Sequence, residues 1–344
     1  MIVNNTHLRP FIIPIFLPQT GCPHQCVFCN QTAITGVKSS KYSALALQQT
    51  IEQFLQYKTS KRSKVQISFY GGNFLGIKKK QVLFLLCEAQ KFIDDGQVHG
   101  LRFSTRPDTI NPENLALLQG FNVETVELGV QSMDDRVLTL AKRGHTASDT
   151  LQAVSLLKKS GYEIGLQLMI GLPGDDEALV LKGASQIAEL SPDFVRIYPT
   201  LVLKNSPLAK WYQKGEYTPW PIKKAVNLCK QLYLFFKEHN IPVIRMGLQA
   251  SSELNNPGTI LAGPYHPAFG HLVYSRIFLD KAETQLQHMG SDKTEISIKI
   301  NPRSVSKIRG LKNENIITLK KKYSLVSLKI ILDPSLNEND IRIV

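Results

Sequence analysis

An α/β fold on a parallel sheet is predicted by strand-like runs that alternate with amphipathic helical stretches through residue 198. Each connection is long enough for the right-handed crossover that parallel strands require. A chain of 344 residues, 43% of them apolar, can bury a sizeable core and suits one large domain plus a small one.

The elements follow in order. Residues 11–17 form an apolar run that reads as a buried strand, after which Pro18, Gly21 and Pro23 break regular structure. Residues 65–70 give a second strand, closed by Gly71-Gly72-Asn73-Phe74-Leu75-Gly76, where glycines leave the backbone open to a close ligand. A third strand, 100–104, runs into Ser104-Thr105-Arg106-Pro107-Asp108, whose Pro and Asp equally suit a helix start. The fourth, 124–130, alternates, placing Glu127, Gly129 and Gln131 on one face. Polar groups on an inner face are costly unless hydrogen-bonded, so a ligand is a natural partner for them. The fifth, 163–170, carries Gln167 and ends in Gly171-Leu172-Pro173-Gly174-Asp175; the sixth, 193–198, places Arg196 and Tyr198 on one face. Helical stretches are expected at 43–57, 80–94 and 147–160, the last stopped by Gly161.

Beyond residue 250 the pattern changes. Residues 262–276 form a Gly/Pro-punctuated connection with Tyr265, His266 and His271, read either as a cap over a site or as a packed loop. From 295 the order is strand 295–300, helix 302–308, helix 313–322, strand 325–332 and strand 340–344. Residues 291–344 hold 11 basic and 6 acidic side chains.

Charge and composition narrow the function classes. Forty-one Lys and Arg against 28 Asp and Glu give a net charge of +13. Clusters at Lys58/Lys61/Arg62/Lys64, Lys78-Lys79-Lys80 and Lys320-Lys321-Lys322 favour phosphate-bearing partners, though they equally suit a lysine-rich solvated surface. No apolar run spans a bilayer and residues 1–9 show no secretory signal, so no membrane partner is expected. Five cysteines, three of them clustered, argue for a reducing cytoplasm; Cys87 and Cys229 read as core thiols.

The cluster is Cys22-Pro23-His24-Gln25-Cys26-Val27-Phe28-Cys29. Three thiolates from one loop suit an iron–sulfur cubane with one iron free of protein ligands. Buried small thiols, or half of a zinc site completed by His24 or a distant histidine, are the alternatives.

Cys22, Cys26 and Cys29, with Phe28 before the last, resemble the signature of radical S-adenosylmethionine (SAM) enzymes. The resemblance covers most of residues 10–250. It implies a partial (β/α)6 TIM-type barrel over residues 1–250, a [4Fe-4S] cluster on the three cysteines, and SAM on the open iron. An electron from the cluster then cleaves SAM to a 5′-deoxyadenosyl radical. Chemistry in such barrels gathers at the C-terminal ends of the strands. The resemblance further implies SAM-binding roles for Gly71, Gly72, Asn73, Glu127, Gln131, Arg143 and Gln167, while Ser104 and Arg106 at the end of the third strand suit either SAM or substrate. Arg143 lies in Arg143-Gly144-His145-Thr146, which matches an Arg-x-His segment of the family, and would pair with the SAM carboxylate. Arg196 and Tyr198 are pocket candidates. A small ferredoxin or flavodoxin is the expected electron donor.

Residues 104–108, 127–132 and 195–203 are similar to the radical SAM half of the Elongator catalytic subunit, which modifies the wobble uridine of tRNA. Too little sequence follows for that protein's acetyltransferase domain, and no acetyl-CoA pyrophosphate loop is visible. Residues 251–290 are expected to connect the core to a small basic α+β domain, 291–344. There, Gly310-Leu311-Lys312-Asn313 resembles the backbone-clamping loop of a KH domain, with asparagine at the second glycine position. Two functions follow: modification of RNA, tRNA in the first instance, or chemistry on a small molecule or porphyrin, as in relatives of oxygen-independent coproporphyrinogen oxidase.

Overall fold

The computed structural model describes residues 10–18, 20–36, 42–57, 64–249, 251–289 and 294–344. The N-terminal segment and the basic residues Lys58, Lys61 and Arg62 lie outside these. Strand β1 (Phe11–Phe16) leads to helices α1 (Gln31–Thr35) and α2 (Ala44–Gln56). Next come β2 (Val65–Tyr70), α3 (Lys79–Asp94), β3 (Gly100–Thr105), α4 (Pro112–Ala116) and β4 (Val123–Gln131). The helices α5 (Asp135–Leu140) and α6 (Ala147–Lys159) precede β5 (Glu163–Ile170), α7 (Glu177–Glu189) and β6 (Phe194–Pro199). A short β7 (Val202–Leu203), α8 (Pro207–Gln213), α9 (Ile222–Glu238) and β8 (Val243–Met246) complete the core.

The main sheet runs β1-β2-β3-β4-β5-β6-β8, every pair parallel. It is the partial TIM-type barrel the sequence suggested, with one strand more: β8 was not anticipated. Sheet burial explains the sequence. In β2 five consecutive residues are buried, as expected where helices cover one face and a filled interior the other. From α3, Val82, Leu85, Leu86 and Ala89 enter the core at helical spacing; from α6, Ala153, Val154 and Leu157 do so. Thr146 and Asp149 start α6 with a reciprocal capping box, and left-handed Gly161 follows its end.

Phe74, just after the Gly71-Gly72 turn, stacks between Phe69 and Phe103, with centroids 4.9 and 4.7 Å away. Such pairs contribute about 0.5–1.5 kcal/mol beyond the area they bury, so the turn is held from beneath.

Past the core, α10 (Ser252–Asn255) and β9 (Ile260–Ala262), which pairs with β7, lead to the 21-residue α11 (Phe269–Met289). Phe269, Val273 and Ile277 of this helix join the main core. Phe278, Leu279, Ala282 and Leu286 join a second core with β10 (Glu295–Ile300), α12 (Val305–Arg309), α13 (Glu314–Lys322), β11 (Ser327–Leu332) and β12 (Ile341–Ile343). In that unit β10 is central, parallel to β11 and antiparallel to β12. The stretch expected to be a connection therefore contains a helix that supplies side chains to both cores.

Candidate functional site

The cysteine loop leaves β1 and is tied down on both sides. Leu17 N donates to Tyr70 O at 2.7 Å, Asn73 N to Thr20 O at 2.9 Å, and Asn73 Nδ2 to Gly21 O at 2.9 Å. Gly21 has φ +74, and a Cβ there would lie 2.3 Å from Asn73 O, so only glycine fits. Further along, Val27 N donates to Ala141 O and Leu208 N to Val27 O. Asn30 caps α1 and donates to Lys204 O at 2.6 Å. Backbone anchors thus hold the loop while its thiols line a cavity of about 1070 Å³.

Cys22 is exposed, Cys26 buried and Cys29 part-buried. Burial, then the neighbouring Cys26 and Cys22 sulfurs, push the Cys29 thiol up to about 12. Burial and Cys26 raise Cys22 as well, against the lowering pull of Arg106 and Arg143. The three sulfurs lie within electrostatic reach of one another, and holding all three as thiolates takes a cationic group. Among the described residues no trio of His, Cys, Asp or Glu gathers tightly enough for a single metal ion. Three thiols from one loop suit a polynuclear iron–sulfur group.

Two guanidiniums stand beside the sulfurs. Arg143 donates Nη1 to Cys26 Sγ at 3.1 Å and Nη2 to Gly129 O at 2.6 Å. Arg106 pairs both Nε and Nη2 with Asp108, at 2.9 and 2.8 Å. Arg143 Nε and Arg106 Nη1 are buried with no hydrogen-bond partner among the described residues. An orphaned buried donor costs about 1–3 kcal/mol, so an anionic ligand here satisfies what the protein leaves open. The donor set therefore fits a three-thiolate cluster beside a carboxylate-bearing ligand.

Gln131 ends β4 at φ +68, where the β4–β5 register shifts, a bulge that re-aims its side chain. Gln167 Nε2 donates to Gln131 Oε1 at 3.4 Å. A Cβ on Gly129 would sit 2.8 Å from Gln131 Nε2 and 3.4 Å from Arg143 Nη2. Gly129 is thus empty so that these two side chains can cross it. His145 holds Val130 O at 3.2 Å, and burial followed by the Arg143 charge pushes its pKa down to about 4, leaving it neutral.

The cavity gathers Cys22, Cys26, Cys29, Gly71, Gly72, Ser104, Arg106, Gln131, Arg143, Gln167, Arg196 and Tyr198. Asn73 and Glu127 do not line it. Asn73 Oδ1 accepts from Thr105 Oγ1 at 2.7 Å, Arg106 N at 3.1 Å and Thr109 Oγ1 at 3.1 Å, so this side chain joins the cysteine loop to the end of β3. Glu127 is sealed within the barrel. It meets Arg196 at 2.8 Å, Arg102 at 3.4 Å and the Tyr70 hydroxyl at 3.0 Å. Burial and this carboxylate raise the Tyr70 phenol. Tyr265, His266 and His271 do not line the cavity either; Tyr265 donates to Asn255 and His266 accepts from Ala268 N.

Sequence reading missed Met169 and Arg245, which both line the cavity. The signal for Arg245 was an arginine inside a short apolar run, Val243-Ile244-Arg245-Met246, ahead of a glycine. In the small basic unit, Gly310, Lys312 and Asn313 have φ of +70, +50 and +63. Leu311, Lys312 and Asn313 are exposed. A Cβ on Gly310 would meet the buried Asn315, which ties α13 to Ser275 O and Lys307 O.

The turn after β5 holds a titratable group. Asp175 accepts from Gly171 N at 3.0 Å, yet burial raises its carboxyl to about 7. The folded state then binds this proton more tightly than the unfolded chain, where a carboxyl titrates near about 3.9. Its stabilising contribution is full below about pH 4 and is lost as pH rises to about 7. The melting temperature of Asp175→Asn, which stays neutral, should fall less than wild type over that window. Superimposable pH profiles contradict this.

The comparisons with known proteins follow the same outline. A family model described as the radical SAM superfamily matches residues 16–182, and one described as the radical SAM C-terminal domain matches 192–278. The tRNA uridine(34) acetyltransferase of Dehalococcoides mccartyi (strain CBDB1) is 31% identical over 235 residues, covering 58% of this chain and 50% of the relative. That of Methanocaldococcus jannaschii is 28% identical over 255 residues, covering 63% and 47%. The chain spans about half the length of the curated relatives it matches. Among solved structures, the archaeal Methanocaldococcus infernus Elp3 with an N-terminal deletion superposes with a TM-score of 0.60 at 23% identity, covering 78% of this chain and 63% of that one.

Proposed function

The chain belongs to the radical SAM superfamily, using a [4Fe-4S] cluster and SAM, and we propose that its substrate is RNA, tRNA in the first instance. Cysteines 22, 26 and 29 would hold the cluster, which when bound would supply one electron to SAM. Arg143 and Arg106 receive the SAM carboxylate through their unpartnered nitrogens. Gln131 and Gln167 present amides across the vacated face of Gly129, and Gly71 and Gly72 line the cavity where they pack closely against the backbone of Leu17 and Thr20. Walls of Ile12, Pro14, Phe16, Phe54, Met169 and Leu203 exclude water from a reactive radical.

The observation that carries the RNA reading is the match to tRNA uridine(34) acetyltransferases across the core. The basic unit supports it. Left-handed Lys312 and Asn313 give the 310–313 loop the backbone shape that a KH-type clamp takes from glycine. Exposed Lys312 stands just before α13 and offers a cation to phosphate. An acidic ferredoxin or flavodoxin is the proposed electron donor; exposed Lys204 stands on the outer side of Cys29. No described helix is long and apolar enough to cross a membrane.

Nucleoside profiling of tRNA tests the reading. Cells lacking this protein should lose one modified nucleoside, restored by wild type but not by Cys29→Ala. An unchanged profile together with accumulated porphyrin contradicts it and favours the coproporphyrinogen oxidase-like alternative.

A further inference from the structure

Four arginines line the cavity, and among the described residues no aspartate or glutamate does. Three of the four have assigned partners. Arg106 is paired with Asp108, Arg143 with Cys26 Sγ and Gly129 O, and Arg196 with Glu127. Arg245 has none among the described residues. It stands directly beside Arg196 in the β6–β8 register. Like charges side by side on neighbouring strands are unfavourable, and Glu127 cannot serve both, because Arg196, Arg102 and Tyr70 already take its oxygens. Part-buried Arg245 therefore lines the cavity as an unspent cation, and exposed Gln249 lines the same cavity. β8 is the edge strand opposite β1, which feeds the cysteine loop, so this charge belongs to a different wall from the SAM-side arginines. At about 1070 Å³ the cavity exceeds the usual span for a single small ligand, about 300–1,000 Å³, and leaves room for a second one beside SAM.

We propose that Arg245, with Gln249, binds an oxyanion of the substrate, a phosphodiester flanking the nucleoside that enters the cavity. The planar guanidinium fork suits two phosphate oxygens, and a nucleotide drawn out of its stack brings its flanking phosphates to the rim of the pocket. The phosphodiester assignment rests on the RNA reading above; a carboxylate would satisfy the same fork.

The test uses the reconstituted full chain, bulk tRNA from cells lacking the protein, and a salt series. Each phosphate contact adds counterion release to the binding slope. Arg245→Gln should weaken binding and lower the slope of log K against log salt by roughly one, with Arg245→Lys restoring most of the slope. Wild type that binds with a slope unchanged in Arg245→Gln overturns the assignment and leaves the RNA reading standing. Wild type that binds no tRNA at any salt overturns both. Binding of coproporphyrin that is lost in Arg245→Gln, with tRNA binding unaffected, moves the site to a carboxylate and overturns the phosphodiester.

Discussion

Replacing Cys26 by Ala should reduce 5′-deoxyadenosine formation from SAM under dithionite to background. Cys26 is the least exposed of the three cysteines and the one that Arg143 contacts. Under the proposed assignment the cluster would lose a ligand, and the Arg143 guanidinium would lose its sulfur partner. The loop itself should survive, because its anchors at Thr20, Gly21 and Val27 reach Asn73, Ala141 and Leu208 and use no cysteine side chain. Circular dichroism and the melting profile should stay near those of metal-free wild type. Cys87→Ala is the control and should keep wild-type turnover, since Cys87 is exposed on α3 and not the core thiol expected of it. Turnover persisting in Cys26→Ala removes the three-cysteine assignment.

The second large effect concerns stability. Glu127→Gln leaves Arg102 and Arg196 facing each other across a buried site with no carboxylate between them. Breaking one side of a buried pair costs about 3–5 kcal/mol, because a charge is left uncompensated in a poor solvent. Urea unfolding of metal-free protein should show a loss of that size. Removing both partners with well-packed apolar side chains should cost less than the two single changes together. A loss below about 1 kcal/mol, with additive doubles, contradicts the view that Glu127 is the electrostatic keystone of the barrel interior.

Much of this was legible in the sequence, and what was not has physical causes. Strands β1 to β6 were visible because each is a run of six or more residues bounded by turn formers. β8 was not, because four residues with an arginine inside carry too little periodicity. Alternation turned Glu127 inward, but it gives direction and not partner, and it breaks at the bulge that re-aims Gln131. Gln131 reaches the cavity, whereas Glu127 is taken by Arg196, which comes from a strand distant in sequence. The resemblance gave Asn73 a SAM-binding role; its side chain ties the loop that carries Cys22 to the end of β3. The division near residue 250 also follows from local reading. A composition change marks it, yet α11 buries one end in each core, a long-range fact no window of sequence contains.

The most direct measurement is iron and acid-labile sulfide on anaerobically reconstituted protein, with electron paramagnetic resonance of the reduced form before and after SAM. A three-cysteine cluster with one open iron gives iron and sulfide in equal amounts, close to one [4Fe-4S] per chain, and a spectrum that shifts when SAM binds. Colourless protein carrying zinc and no sulfide, or a cluster whose spectrum ignores SAM, contradicts the account.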